Sequence, residues 1–227
     1  AVVGFLAADR LNPSHVPALA VILAGLQNAV LIPMLGTSAV DAFPLNGPSW
    51  SLFAELWINA GFALVATRLT PRLLAVIVAA GWAFLIAHTL QAGTADFGAT
   101  QATILYAIPR SLPSFACGVL IFKLGRNGAL QSLPPAHPLL LFGLWAAISF
   151  LPKMGPVFDL AQIIITAPLM LALLANTSRA TPAWCLWLGR LSYPLYATHA
   201  VIVDVAQKYS GGRLSIWVIV TALVLAL

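Results

Sequence analysis

The stretch RLLAVIVAAGWAFLIAHTL, residues 72–90, decides the fold, because its only charged residue, Arg72, stands at its first position. A helix that crosses the roughly 30 Å hydrocarbon core of a bilayer needs about 20 apolar residues. Since lipid offers no hydrogen-bond partners to backbone amides, a single run of this kind can span a membrane only as a helix. The stretch therefore predicts a transmembrane helix.

Similar apolar runs recur along the chain. Hydrophobic residues make up 61% of its 227 residues and charged residues only 7%, whereas soluble domains carry about 25% charged residues. The sequence thus predicts an all-α fold, a polytopic transmembrane helix bundle of about seven to eight spans that forms one domain over residues 1–227. The predicted helices are 49–67, 72–90, 102–124, 138–152, 157–175, 186–207 and 214–227, with a weaker one at 17–33.

The two ends of the chain both lie in apolar sequence. Residues 1–8 are interpreted as the tail of a helix that began upstream, and residues 218–227 still lie inside an apolar run. We therefore expect the domain to be truncated at both ends.

The net charge of +5 comes from 11 basic and 6 acidic residues, and the basic residues are spread over short loops. No basic run or stripe occurs, which argues against a nucleic acid partner. Successive loops alternate in charge, and the positive-inside rule places the more basic set in the cytoplasm and the 41–48 loop outside. The cytoplasmic set contains Arg68, Arg72, Lys123, Arg126, Arg179 and Arg190.

Motifs for metal, nucleotide and serine-hydrolase chemistry are absent from the sequence. It contains no HExxH, no GxSxG, no glycine-rich phosphate loop and no paired cysteines. We therefore predict no metal site. Cys117 and Cys185 lie in or beside apolar segments and are expected to be buried thiols, whereas His15, His88 and His137 are interpreted as solvated residues of loops and segment ends.

Glu55 is the only glutamate of the chain and lies within a predicted span. Ser51, Glu55 and Asn59 follow each other at intervals of four, so they form one polar stripe on a helix. A charge at the centre of a membrane helix costs about 2.5–3.5 kcal/mol, and such residues commonly mark functional sites. The alternative is a protonated or paired carboxyl that ties two helices together.

Arg110 is predicted near the middle of the helix 102–124, between Pro109 and Pro113. Proline frees backbone carbonyls, so a kink with a polar face is expected here. The guanidinium could pair with Glu55, bind an anionic group such as a phosphate through two parallel hydrogen bonds, or form a purely structural ion pair.

A third polar face opens the helix near the C-terminus, where Ser192, Tyr196 and His199 share one side. Tyrosine is common at membrane interfaces without any function. A single histidine in an apolar helix is more often a hydrogen-bonded packing residue than a base. This face therefore becomes a candidate site wall only together with other signals.

These three regions together resemble the acyltransferase family 3 membrane proteins. The run NGPSWSLFAE, residues 46–55, resembles the family signature N-x-P-x-W-S-L-x-x-E. Residues 110–120, an arginine followed by FACGVL, are similar to its arginine and F-x-x-G-x-L helix. Residues 188–199, LGRLSYPLYATH, resemble its L-G-x-x-S-Y-x-L-Y-x-x-H element. The matches occur in the family order, so the resemblance covers essentially the whole chain.

The resemblance implies an enzyme of about ten helices in a bacterial inner (plasma) membrane. It would move an acyl group, usually acetyl, from a coenzyme A thioester to a hydroxyl of a cell-surface polysaccharide or other glycan. The expected partners are a carbohydrate acceptor, an acyl donor and membrane lipid, with no bound cofactor and acetyl-CoA or another acyl-CoA as co-substrate. The family's first helix, which holds an arginine and the catalytic histidine, has no counterpart here, so we expect this chain alone to be inactive.

The resemblance also suggests roles for individual residues. Acyl transfer to a sugar hydroxyl needs a base and donors for the developing oxyanion. Glu55 is the candidate catalytic residue, either orienting the histidine or binding the acceptor hydroxyl. The other candidates bind substrate. Ser51 and Asn59 would complete a hydrogen-bonded wall, and Trp50 would pack on a sugar ring. Asn46 would fix the turn, and Arg110 would bind a phosphate or carboxylate. The opposite side of the cavity would be lined by Ser192, Tyr196 and His199.

Two readings from other classes stay open. A transporter or flippase also uses broken helices and charges near the midplane, and it would move its substrate without covalent change. A structural or assembly subunit would use its polar stripes only to join helices, and it would tolerate neutral substitutions at Glu55.

Overall fold

The structure, a computed structural model, describes residues 18–36, 40–134, 136–151, 154–176 and 183–209. Within these ranges the chain forms helices and a single isolated β-bridge, which confirms the predicted all-α fold. The helices are α1 (Ala18–Ala29), α2 (Ser49–Val65), α3 (Pro71–Ala92), α4 (Ala107–Arg126), α5 (Pro138–Ser149), α6 (Pro156–Ala175) and α7 (Ala183–Tyr209).

Four of these helices are long and apolar enough to cross a membrane. They are α2 with its 3₁₀ extension (Ser49–Arg68), α3, α4 with the 3₁₀ turn before it (Ile104–Arg126), and α6; α5 is a shorter apolar helix. The helices predicted at 1–8 and 214–227 lie outside the described residues. The chain is an integral membrane protein with a helix bundle.

Helix α3 shows how the sequence sets helix ends. Thr70 caps its N-terminus, since the side-chain Oγ1 accepts a hydrogen bond from the backbone N–H of Leu73 at 3.2 Å. Pro71 follows as the first helical residue, where its missing N–H costs nothing. The helix stops at Gly93, which has a φ of +69° that glycine adopts without strain.

Helix α4 begins later than the sequence predicted. A 3₁₀ turn occupies Ile104–Tyr106, and the α-helix starts at Ala107. Pro109 consequently stands in the first turn, where backbone N–H groups have no helical partner anyway. The prediction that Arg110 lies near the middle of this helix is wrong, because Arg110 belongs to that first turn. Only Pro113 is an interior proline of α4.

Helices α3 and α4 approach each other closely at Gly81. A β-carbon on Gly81 would lie 2.7 Å from Cβ of the buried Pro113. Small residues allow membrane helices to pack at such short range. Leu74 and Val78 of α3 also pack with Cys117 of α4 in a buried apolar cluster.

Helix α6 contains a π-helical segment, Gln162–Thr166, two residues before Pro168. A proline inside a regular α-helix clashes with the carbonyl four residues earlier, here that of Ile164. Short π segments are one way for a helix to accommodate such interruptions.

The backbone forms two compact units. The first contains Ala1–Phe53, Gly98–Ile104 and Thr181–Leu227, and the second contains Ala54–Phe97 and Leu105–Ala180. The interpretation of residues 1–227 as one domain stays a prediction.

Loop contacts within each unit agree with the predicted alternation of sides. In the first unit, Asp41 forms the β-bridge with Thr100, and Ala42 donates to the carbonyl of Ala99 at 2.9 Å. In the second unit, Nζ of Lys123 donates to the carbonyl of Leu69. Each contact joins two segments that the charge pattern assigns to one side, while the assignment of the cytoplasmic face stays a prediction.

Candidate functional site

The first unit brings two of the family-like motifs into direct contact through Asn46. This residue lies in the turn before α2, where its N–H donates to the carbonyl of Phe43 and its own carbonyl accepts from the N–H of Ser49 at 3.0 Å. Its side-chain Nδ2 donates to the carbonyl of Ala197 in α7 at 2.9 Å. Asn46 is only 8% exposed, and its buried Oδ1 has no hydrogen-bond partner among the described residues. Asn46 therefore holds the turn and also joins it to α7.

A second contact joins the same motifs in the first turn of α2. The hydroxyls of Ser51 and Tyr196 lie 2.5 Å apart, and either can donate. The Ser51 hydroxyl is also 2.9 Å from the carbonyl of Pro48. If Ser51 donates to that carbonyl, the Tyr196 hydroxyl donates to Ser51. This pair forms a small polar junction between α2 and α7.

Helix α7 presents the remaining candidates of this region. Nδ1 of His199 lies 2.7 Å from the carbonyl of Tyr196, and the two rings are 5.6 Å apart. The hydroxyl of Ser192 donates to the carbonyl of Gly189 at 2.8 Å. Both side chains thus bond to their own helix. Ser192 is exposed and His199 half-buried.

The structure leaves Glu55 on the exposed side of α2, while Ala54 and Ile58 on the same helix are buried. Nδ2 of Asn59 donates to the backbone carbonyl of Glu55 at 2.9 Å. Asn59 therefore supports the helix backbone, and Ser51 bonds to Pro48 and Tyr196. Trp50 is half-buried and takes part in interactions of its own.

Arg110 belongs to the second unit and is anchored to the loop after α3. Its Nη1 donates to the carbonyl of Phe97 and lies 3.9 Å from Oδ1 of Asp96. The guanidinium carbon also lies 5.2 Å from the centre of the Phe97 ring, within range of a cation–π interaction. The Arg110 side chain is 19% exposed and that of Asp96 is 81% exposed. Asp96, which the sequence did not suggest, is thus the acidic neighbour of Arg110.

The sequence interpretation also misjudged the environment of His88. It is half-buried instead of solvated, with its ring 4.1 Å from that of Phe97 and 5.1 Å from that of Tyr106. The Phe97 ring therefore contacts both His88 and Arg110. The sequence contains one signal for this cluster, Phe84 at position i−4 of the same helix, a spacing at which side chains meet. The other partners come from outside α3, so helix periodicity could not reveal them.

Outside these clusters the described residues offer few other groups for chemistry. No group of three or more His, Cys, Asp and Glu side chains occurs among them that would hold a metal ion. Cys117 is buried and Cys185 half-buried, and both are free thiols. His137 is exposed, as expected, and His15 lies outside the described residues.

Six of the nine predicted site residues therefore fall into two groups in the structure. Asn46, Ser51, Tyr196 and His199 come together in the first unit, with Ser192 one turn away on α7. Arg110 is grouped with Asp96, Phe97 and His88 in the second unit.

Comparison with known proteins identifies the family. The model of the acyltransferase family 3, described as an acyltransferase domain, matches residues 3–227. No curated protein and no solved structure matches the chain significantly. A membrane acyltransferase acts between an acyl donor and an acceptor. Since the match spans nearly all 227 residues, the chain belongs to acyltransferase family 3.

Proposed function

We propose that the protein transfers an acyl group from acetyl-CoA or another acyl-CoA to a hydroxyl of a cell-surface polysaccharide or other glycan, and that this acyl group is acetyl. The membrane is the bacterial inner (plasma) membrane. The observation that carries the proposal is the junction of Asn46 and Ser51 with Ala197 and Tyr196, because two family-like motifs about 150 positions apart in the chain meet there.

The reaction joins the acceptor oxygen to the thioester carbonyl carbon and breaks the carbon–sulfur bond. The proton of the hydroxyl passes to a base and finally to the thiolate that leaves as coenzyme A. A hydroxyl is a weak nucleophile near neutral pH, so a positioned base contributes about 10²–10⁴-fold. No redox step is needed.

Glu55 is the proposed catalytic residue. It stands one helical turn beyond Ser51 on α2 and is exposed, so its carboxylate is open to an acceptor hydroxyl or to the imidazole expected from the resemblance. Asn59 holds the backbone of this turn through its bond to the Glu55 carbonyl.

The remaining candidates bind substrate in this proposal. Tyr196, Ser51 and Ser192 offer hydroxyl donors and acceptors for a polar acceptor, and Trp50 offers an aromatic face for a sugar ring. His199 lies on the same face of α7. Arg110 binds a phosphate or carboxylate of one substrate, and its anchor at Phe97 fixes the guanidinium in advance.

The experiment that tests the proposal replaces Glu55 by Gln in the full-length protein, in cells from which the native gene is deleted. We expect the ester content of the surface glycan to fall about 100-fold at equal protein level. The neutral amide can neither act as a base nor stabilise a protonated imidazole by its charge. Ester groups are counted by mass spectrometry of the released glycan, and protein level is measured by immunoblot.

Asp159→Asn is the matched control, since it neutralises a half-buried carboxyl on α6 that belongs to none of the three motifs. This variant should retain normal ester content. Normal ester content in Glu55→Gln at normal protein level would refute the catalytic role. Movement of the glycan across the membrane without ester formation would instead favour a transporter.

A further inference from the structure

An open apolar groove lies among α2, α3 and α4 in the second unit. Its volume is about 370 Å³, within the range of about 300–1,000 Å³ typical of ligand sites. Every residue that lines it is apolar. Residues from each of the three helices contribute, for example Trp57, Gly61, Phe62, Ile77, Ile108 and Phe115.

The shape and chemistry of the groove suit a hydrocarbon chain. Along α2 the lining extends from Trp57 to Val65, which corresponds to about 12 Å of helix. A sugar or nucleotide in this groove would lose its hydrogen bonds to water without replacement, which is costly. A β-carbon on Gly61 would meet nothing within 4 Å, so the groove is open at this position.

Basic residues surround Leu69, which lines the groove between α2 and α3. Arg68 precedes it and Arg72 lies in the first turn of α3, and both are exposed. Nζ of Lys123 donates to the Leu69 carbonyl. The N-terminus of α3 adds its own partial positive charge here. Residues 56–95 and 97–158 contain no Asp or Glu, so these stretches supply no acidic residue to neutralise the cations.

We propose that the groove and these cations form a binding site for an anionic membrane phospholipid. The phosphate lies at Arg68 and Arg72, and one acyl chain lies along α2 in the groove. Basic pockets between transmembrane helices on the cytoplasmic side are suited to anionic head groups. Topology alone explains basic residues at a helix end, but it does not require an apolar groove that opens beside them. The proposal does not depend on the acyl-transfer reaction.

The test measures lipid binding to the full-length protein by native mass spectrometry after titration with phosphatidylglycerol or phosphatidylcholine. Since each basic residue near the surface strengthens anionic lipid binding about fivefold, Arg68→Gln with Arg72→Gln should weaken phosphatidylglycerol binding about 25-fold. Binding of the zwitterionic phosphatidylcholine should change less than about threefold, because this lipid carries no net charge for the two arginines to attract.

Gly61→Leu tests the tail of the site, since Gly61 lines the groove and a β-carbon there would meet nothing within 4 Å. We expect it to weaken binding of both lipids at least about fivefold, because several methylene groups lose their contacts. Gly143→Leu on α5 is the matched control, since a β-carbon there also meets nothing within 4 Å. Arg190→Gln, an exposed arginine on α7, is the control for charge.

Three results would overturn the proposal. One is equal binding of the two lipids by the unchanged protein. Another is unaltered phosphatidylglycerol binding in the double arginine variant. The last is the absence of bound lipid from a folded protein, which means that another part of the protein covers the groove. The exposed arginines keep the test decisive even if Gly61→Leu fails to fold.

Discussion

Two polar regions carry the family-like motifs, and each is held together in its own way. In the first unit, Asn46 and Ser51 bond to residues of α7 that are 151 and 145 positions further along the chain. In the second unit, Arg110 is held by the loop residue Phe97, only 13 positions away. The first region joins distant helices, whereas the second fixes one cation to a neighbouring loop.

The difference shows that the residue type within a motif does not by itself reveal its role. Asn46 is buried and serves a helix junction, although an amide in this position also suits a substrate. Glu55, in the same motif, is exposed instead. Arg110 is both anchored and partly open, because its guanidinium bonds to the Phe97 carbonyl while its side chain is still 19% exposed.

The largest effect that separates these regions is expected at Arg110. We predict that Arg110→Met lowers ester formation about 100-fold, a loss typical of removing one charge-stabilising donor. Asp96→Asn should reduce it less than about twofold, because an ion pair of 3.9 Å with a carboxylate that is 81% exposed contributes little. Both are measured as ester groups per glycan at equal protein level. Equal losses in the two variants would show that the ion pair is the main role of Arg110.

A smaller effect, on stability, is expected at Asn46. Asn46→Ala removes the donor to the Ala197 carbonyl inside a buried region, so it should lower the free energy of unfolding by about 1–3 kcal/mol. Asn59→Ala is the matched control, because Asn59 is exposed and bonds only to the backbone of its own helix in the contacts described. It should change stability by less than about 0.5 kcal/mol.

These two asparagine variants are compared by thermal unfolding of the purified protein in one detergent. Asn46→Asp refines the result, because it keeps the shape and removes the donor. Equal melting temperatures for Asn46→Ala and Asn59→Ala would mean that the junction does not stabilise the fold.

The sequence predicted most of the helices well, because apolar length is a local property. Residues 72–90 were predicted and Pro71–Ala92 were found, with the ends set by Thr70 and Gly93. The start of α4 was missed because a 3₁₀ turn precedes Ala107, and apolar composition does not distinguish such a turn from an α-helix.

The candidate site was predictable only in part. Family-like motifs identified Asn46, Ser51 and Tyr196, but their contacts depend on tertiary packing over about 150 positions, which no local pattern encodes. The environment of His88 was misjudged for a related reason. Its ring packs on Phe97, a loop residue, and helix periodicity predicts only neighbours on the same helix.

The smallest effect expected is the coupling between Ser51 and Tyr196. Ser51→Ala, Tyr196→Phe and the double variant form a cycle, and we predict a coupling free energy of about 0.5–1.5 kcal/mol from their unfolding, the usual contribution of one hydrogen bond. Ser51→Ala combined with Ser192→Ala is the control, since Ser192 bonds to Gly189 in its own helix, and these two changes should add within about 0.5 kcal/mol. Additivity in both cycles would show that the two hydroxyls lie close together without stabilising the junction, and Asn46 would then be its only contributor among the contacts described.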